Sequence, residues 1–281
     1  VSAYPQNVTG AMVRTFLAGG AGINAMARHV GAQVFVVDMG VAQDLDPVCL
    51  PNAHLLKILK VGAGTGNFTK MPAMTRPQAE EAVVNGFCAT SEVFSTGCHV
   101  VGTGDMGIGN TTASAAVGVC LAAAGVEEMV GRGTGVDDQG LSRKRQAVRK
   151  ALDLHGPDPR DGLDVLSKVG GFEIGGIAGC ILAAAHQKRP VVVDGFISTA
   201  GALIARALCP ASVQYMFAGH RSAEPGHGIM LRRLGLEPLL DLGMRLGEGT
   251  GAALAMTVME AAVRIHREVM TFEQAHVSGK P

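Results

Sequence analysis

Tryptophan is absent from the 281 residues and aromatic side chains make up only 4% of them. Backbone, more than rings, is therefore expected to line any binding site. Charge of one sign is missing too: Lys+Arg and Asp+Glu both count 24. No basic face marks out a nucleic acid or an anionic membrane as partner, and any bound anion must be held locally. The six cysteines form no CxxC pair and mostly sit in apolar stretches, which argues against a disulfide framework or a metal site and fits buried free thiols in a cytoplasmic protein. No run reaches the ~18–20 uncharged apolar residues of a membrane span. There is no Walker A motif, because the only Gly-Lys pair is Gly279-Lys280, so ATP-type phosphoryl transfer loses its main support. The chain opens at Val1 without Met or a signal-type segment; this reads as mid-loop, with the expectation that N-terminal sequence is missing.

What the chain has instead is glycine: 39 residues, about twice the usual ~7% share. Glycine-rich turns recur as VGAGTGNF (61–68), VGTGDMGIGN (101–110), VGRGTGVDD (130–138) and LGEGTGAAL (246–254). Their unequal intervals rule out a solenoid. Each precedes or punctuates a helix-like stretch, where glycine permits tight turns and lets backbone N–H groups approach a ligand. Between them, AQVFVVDMG (32–40), GCHVVGTGDMG (97–107), RPVVVDGFIS (189–198) and SVQYMFAGH (212–220) read as strands. Continuous Val/Ile/Phe runs ending in Gly or Asp are typical of parallel strands covered on both faces, so the pattern predicts an open, mostly parallel α/β sheet with helices on both faces. Ligands then belong at the strand carboxyl ends. From Thr250 to about Ala275 the spacing predicts one long helix, apolar at Leu254, Met256, Val258, Ala261, Ala262 and Ile265.

In GTGDMGIGNTT (102–112), Gly102, Gly104 and Gly107 satisfy a dinucleotide fingerprint, with Glu127 and Glu128 about twenty residues on. The polar Asn110-Thr111-Thr112 opens the helix where that fingerprint wants apolar packing. A structural turn with Thr111 or Thr112 capping a helix is the plainer account. Glu248, between glycines at the mouth of an apolar helix, reads equally as a proton acceptor or as a first-turn carboxylate favoured by the helix dipole. His220 reads as a loop histidine, and no acid or metal spacing accompanies it or His227.

Five stretches in order, GDMGIGNTTASAA, VGRGTGVDDQGLSRK, DGFISTAGAL, HRSAEPGH and RLGEGTGAALAM, resemble the successive motifs of the nicotinate-nucleotide:dimethylbenzimidazole phosphoribosyltransferase family. VSAYPQNVT and VFVVDMGV extend the resemblance to the start of the chain. It implies a large α/β domain over residues 31–245 and a small helical domain built from the termini, residues 1–30 and 246–281, in a homodimer without metal or cofactor. The implied reaction moves 5-phosphoribose from nicotinate mononucleotide to 5,6-dimethylbenzimidazole, giving α-ribazole 5′-phosphate and nicotinate for the lower ligand of cobalamin. The partners are small molecules.

The resemblance makes Glu248 the catalytic base, which removes the benzimidazole N–H proton while the other ring nitrogen attacks. Asp105 stands where the family often has Glu, as an accessory carboxylate. Gly107, Gly133, Lys144 and Ser222 match the phosphate holders, and Gly176 lies near the ribose, with plain helix packing as the competing account for that glycine. Tyr4, Met12, Met106 and Leu246 form the slot for the acceptor base. The same donor with adenine, another benzimidazole or a phenol as acceptor stays open, as does a non-catalytic nucleotide-binding protein.

Overall fold

The computed structural model describes residues 4–133 and 135–277. Residues 1–3 and 278–281 of the expected terminal segments, and Thr134 of the third glycine-rich copy, lie outside them. The chain begins with helices α1 (Asn7–Leu17) and α2 (Gly22–His29), then strands β1 (Val36–Asp38) and β2 (Leu56–Ile58), and the long helix α3 (Arg76–Ser95). Next come β3 (Val101–Gly102), α4 (Asn110–Ala122), α5 (Val126–Met129), α6 (Asp138–His155), α7 (Gly162–Val169) and α8 (Phe172–His186). The last part runs β4 (Val191–Val193), α9 (Phe196–Leu208), β5 (Met216–His220), α10 (His227–Leu234), β6 (Pro238–Leu240) and α11 (Thr250–Glu268).

Among the described residues all strand pairs are parallel, in two sheets. A four-stranded sheet has the order β3-β4-β5-β6, and among the described residues β1 pairs only with β2. The Val191-Val192-Val193 run is buried throughout, as a strand covered on both faces must be. Val191 and Val193 join the main core with Phe196, Ala200 and Ile204, while Val192 packs with Ala252 and Ala255 of α11. Helices therefore lie on both faces, as the valine run predicts.

Local signals set the helix ends. Thr75 and Gln78 form a capping box ahead of α3, and Asp137 and Asp161 accept N–H bonds at the starts of α6 and α7. Between α3 and α8 the backbones nearly touch. A Cβ on Gly86 would lie 2.0 Å from the carbonyl oxygen of Gly176, and one on Gly179 would lie 1.9 Å from that of Val83. Only glycine permits that crossing.

Three expectations change. Residues 210–215 form a short 3-10 turn, so β5 begins at Met216. Helix α11 stops at Glu268, not near Ala275. There Thr271 and Gln274 bond reciprocally, the Thr271 N–H to Gln274 Oε1 at 2.9 Å and the Gln274 N–H to Thr271 Oγ1 at 3.2 Å; this local pairing starts a new turn. The cysteines are less buried than their apolar surroundings suggest: Cys49, Cys88 and Cys209 are exposed and Cys98, Cys120 and Cys180 half-buried. Among the described residues no helix is long and apolar enough to cross a membrane.

Candidate active site

A cavity of about 550 Å³ opens at the carboxyl ends of β3, β4 and β5, where open parallel sheets place their ligands. Each strand contributes the turn that follows it: Asp105–Gly109 after β3, Asp194–Ser198 after β4 and Ser222–Glu224 after β5. Helix α6 and the turn before it supply Arg132, Gly133, Arg143 and Lys144, and the turn before α11 supplies Arg245, Leu246 and Gly247.

One end of the cavity presents a cation and a helix N-terminus. It contains the N-terminus of α4, whose cap residue Gly109 has φ of 93°, and the half-buried Lys144. The Lys144 ammonium donates to Thr111 Oγ1 at 3.1 Å and to the Gly131 carbonyl at 2.8 Å, which accounts for two of its three protons. Burial lowers its pKa, opposed by the nearby Glu224 carboxylate. Gly133, at φ of 59°, lies so close that a Cβ there would be 3.1 Å from Thr111 Oγ1 and 3.3 Å from the Lys144 nitrogen. The pKa of the nearby Glu224 is raised by burial, against the lowering effects of Lys144, the Gly133 backbone and Arg245. Ser222 is buried at the same end, and its Oγ accepts the Glu224 N–H at 3.3 Å.

The other end is acidic. Asp105 is pushed up to about 6 by burial and by the nearby Asp194, although Asn110 Nδ2 donates to its carboxylate. Glu173, in the first turn of α8, is pushed up to about 8 by burial and by Asp105. Asp194, the residue after β4, is also raised, chiefly by burial. Burial, with a neighbouring carboxylate at Asp105 and at Glu173, favours the protonated forms. Asp194 accepts from the Gly249 N–H at 3.2 Å and the Ala252 N–H at 3.0 Å, and so anchors the start of α11.

Glu248 stands between these anchors. It adopts φ of 62°, flanked by Gly247 at 81° and Gly249 at 91°. A left-handed conformation is uncommon for a residue with a side chain, and such strain concentrates at functional sites. The Glu248 N–H donates to the Asp105 carbonyl at 3.2 Å. Its Oε2 accepts the Ile23 N–H at 3.0 Å, at the N-terminus of α2. A Cβ on Gly104 would lie 2.5 Å from the Glu248 carbonyl oxygen, so the turn after β3 and the turn before α11 lie back to back.

Known proteins share this geometry and sequence. Residues 1–277 match the DBI_PRT family model, described as phosphoribosyltransferase. The chain belongs to this phosphoribosyltransferase family. A Roseiflexus sp. (strain RS-1) protein named nicotinate-nucleotide–dimethylbenzimidazole phosphoribosyltransferase is 55% identical over 280 residues, covering 100% of this chain and 78% of the relative. A protein of the same name from Geobacter sp. (strain M21) is 52% identical over 278 residues, covering 99% of this chain and 78% of the relative. The crystal structure of CobT from Thermus thermophilus superposes with a TM-score of 0.93 at 47% identity, covering 100% of this chain and 82% of that one.

Of the residues singled out from the sequence as the phosphoribosyltransferase site, Tyr4, Asp105, Met106, Gly107, Gly133, Lys144, Ser222 and Leu246 line the one cavity. Glu248 adjoins it through Gly247, with its carboxylate on α2. Two residues are elsewhere. Gly176 lies at the α3–α8 crossing, against Gly86 and Met39, so the helix-packing account describes it. Met12 packs with Ala21, Ile23 and Ala253 beneath α1 and α2. His220 is no loop residue: it ends β5, is 2% exposed and places Nε2 3.6 Å from Asp194 Oδ1. Asp194, Glu173 and Glu224 had no assigned role. The signal for Asp194 was present in VVVD, a carboxylate at the end of a fully apolar parallel strand.

Proposed function

We propose that the chain transfers the 5-phosphoribosyl group of nicotinate mononucleotide to 5,6-dimethylbenzimidazole, releasing nicotinate and forming α-ribazole 5′-phosphate. The observation that carries this reading is that one cavity joins an anion-holding end, at Lys144, Ser222 and the α4 N-terminus, to a proton-holding end at Asp105 beside the Glu248 turn. The family match and the names of the relatives point the same way.

The chemistry follows from the two ends. The bond from the anomeric carbon to the pyridinium nitrogen breaks, and its electron pair returns to nicotinate as a neutral ring nitrogen, a departure that needs little acid assistance. The benzimidazole nitrogen bearing the lone pair forms the new bond. Its other nitrogen gives up a proton to Glu248, with Asp105 as the adjoining carboxylate. The phosphate is a handle. Lys144, Ser222 and the backbone at Gly107 and Gly133 hold it. Met106, Leu246 and Tyr4 wall the acceptor slot.

The chain acts as a cytoplasmic homodimer on small molecules, with an α/β part over residues 31–245 and a smaller helical part from the terminal segments. Packing of Ala253 in α11 with Ala21 and Ile23 supports the latter. The exposed apolar side chains Val263, Ile265, Val269, Met270 and Phe272 support a partner surface at the end of α11.

The test is to incubate the protein with nicotinate mononucleotide, with and without dimethylbenzimidazole, and to follow free nicotinate. Release that depends on the base is the expected result. Release without it indicates hydrolysis, and none indicates a carrier. Adenine and phenol as alternative acceptors define the slot.

A further inference from the structure

His227 opens α10 but turns its ring back beneath the cavity, fully buried. Its Nδ1 receives the Ser222 N–H at 2.8 Å. That nitrogen must therefore lack a proton, so in the neutral ring Nε2 carries it. Nε2 lies 2.9 Å from Thr199 Oγ1, and the Thr199 hydroxyl in turn lies 2.8 Å from the Gly195 carbonyl. The roles along this chain are then fixed: Ser222 donates to His227, His227 to Thr199, and Thr199 to Gly195. The chain joins two turns that both face the cavity, Gly195 after β4 and Ser222 after β5.

The effect falls on the Ser222 hydroxyl. Its main-chain N–H is held from below by His227, and its Oγ already accepts the Glu224 N–H at 3.3 Å. The hydroxyl proton is what remains for an acceptor in the cavity. We infer that His227 is a positioning residue for the anion end: as the Nε2–H tautomer, locked by Thr199, it grips the Ser222 amide and so aims the Ser222 hydroxyl at the donor's phosphate. Burial, with His220 and Arg221 nearby, pushes the His227 pKa down to about 3, so the acceptor form of Nδ1 persists across the working pH range. A protonated ring would present a second donor to the Ser222 N–H and break the chain.

This inference rests on the transfer reading for the identity of the anion, so its test has a binding arm that needs no turnover. Two substitutions separate the two ring nitrogens. In His227→Asn, Oδ1 stands near the place of Nδ1 and still accepts from Ser222. In His227→Gln, the terminal amide reaches toward Thr199 but leaves the Ser222 N–H without its acceptor. Calorimetry with nicotinate mononucleotide, nicotinate release at saturating donor, and thermal unfolding are measured for both variants and the wild type. His227→Gln is expected to weaken donor binding about tenfold, equivalent to about 1.4 kcal/mol, with kcat nearly unchanged. His227→Asn is expected to recover most of that affinity, whatever the order of the two melting temperatures.

Equal losses in the two variants, losses that track only the drop in melting temperature, or an unaltered affinity in His227→Gln would overturn the inference. If the wild type binds the donor but releases no nicotinate, the transfer reading fails while the Asn/Gln contrast still decides the role of His227. If the wild type binds no nicotinate mononucleotide, both fall.

Discussion

At one end of the cavity the Lys144 ammonium is already gripped by Thr111 Oγ1 and the Gly131 carbonyl, whereas at the other end Asp105 and Asp194, with Glu173 near Asp105, have their pKa values raised chiefly by burial. The first arrangement sets a cation and a helix terminus together, with the Glu224 carboxylate near the cation, and on the proposed function it receives the donor's phosphate. The second holds carboxylates whose pKa values are raised, and on the proposed function this is the end that exchanges protons. On the proposed function, the difference separates donor binding from chemistry in this site. Substitutions at the anion end should appear in donor affinity, and those at the acidic end in turnover.

The largest expected effect comes from Glu248→Gln. The amide keeps the shape and can still accept the Ile23 N–H, but it cannot take a proton, so kcat should fall by ~10²–10⁴. Asp105→Asn is the companion. Loss of turnover there with Glu248→Gln unimpaired would reverse the two roles and put the base on the turn after β3. Next in size is Lys144→Ala, which should weaken nicotinate mononucleotide binding by about 1.5–3 kcal/mol, as for a charged hydrogen bond, with kcat at saturation little changed. An unaltered KM would return Lys144 to an ordinary place on the α6 surface.

Smaller again is a stability effect confined to the acidic end. Asp105 and Glu173 have folded-state pKa values of about 6 and about 8, above the ordinary carboxylate values of about 4. The folded protein thus binds these protons more tightly than the unfolded chain. Their contribution is fully present below about pH 4 and is lost as pH rises through about 6 to 8. Glu173→Gln, which keeps a neutral side chain at every pH, should flatten the fall in melting temperature between pH 5 and pH 8 by a few degrees, on the order of 2–4 °C per kcal/mol. A melting curve whose pH dependence matches the wild type would separate Glu173 from the cluster. Smallest is Arg149→Ala, which removes only the exposed pair with Glu127 and should leave both KM and kcat at their wild-type values.

How far the sequence reveals this division depends on the kind of signal. Val191–Val193 announces a buried parallel strand, and the glycine-rich turns at 102–109 and 247–249 announce the cavity, because each is carried by consecutive residues. Strand β2 was not visible: LLKILK interleaves lysines with apolar residues without a strict two-residue alternation. Strand β6 begins at Pro238 and sits at the sheet edge, where proline is tolerated but weakens any strand pattern. Gly176 stayed open between two accounts for a different reason. A glycine that lets a ligand approach and one that lets a helix approach look alike in one sequence, and only the α3–α8 crossing separates them. The acidic cluster was hidden because Asp105 and Asp194 follow different strands and Glu173 lies in α8, so that only the fold joins them.

The separation of binding from chemistry is tested most directly by titrating nicotinate mononucleotide into Glu248→Gln by calorimetry, alongside its melting temperature. Glu248 carries both assignments at once, as the proton acceptor and as the carboxylate on the N-terminus of α2. The account predicts a donor Kd within about twofold of the wild type and an unchanged melting temperature in a variant whose nicotinate release has collapsed. A Kd that worsens as much as turnover, in a variant that melts several degrees lower, would contradict it and leave Glu248 as a structural cap.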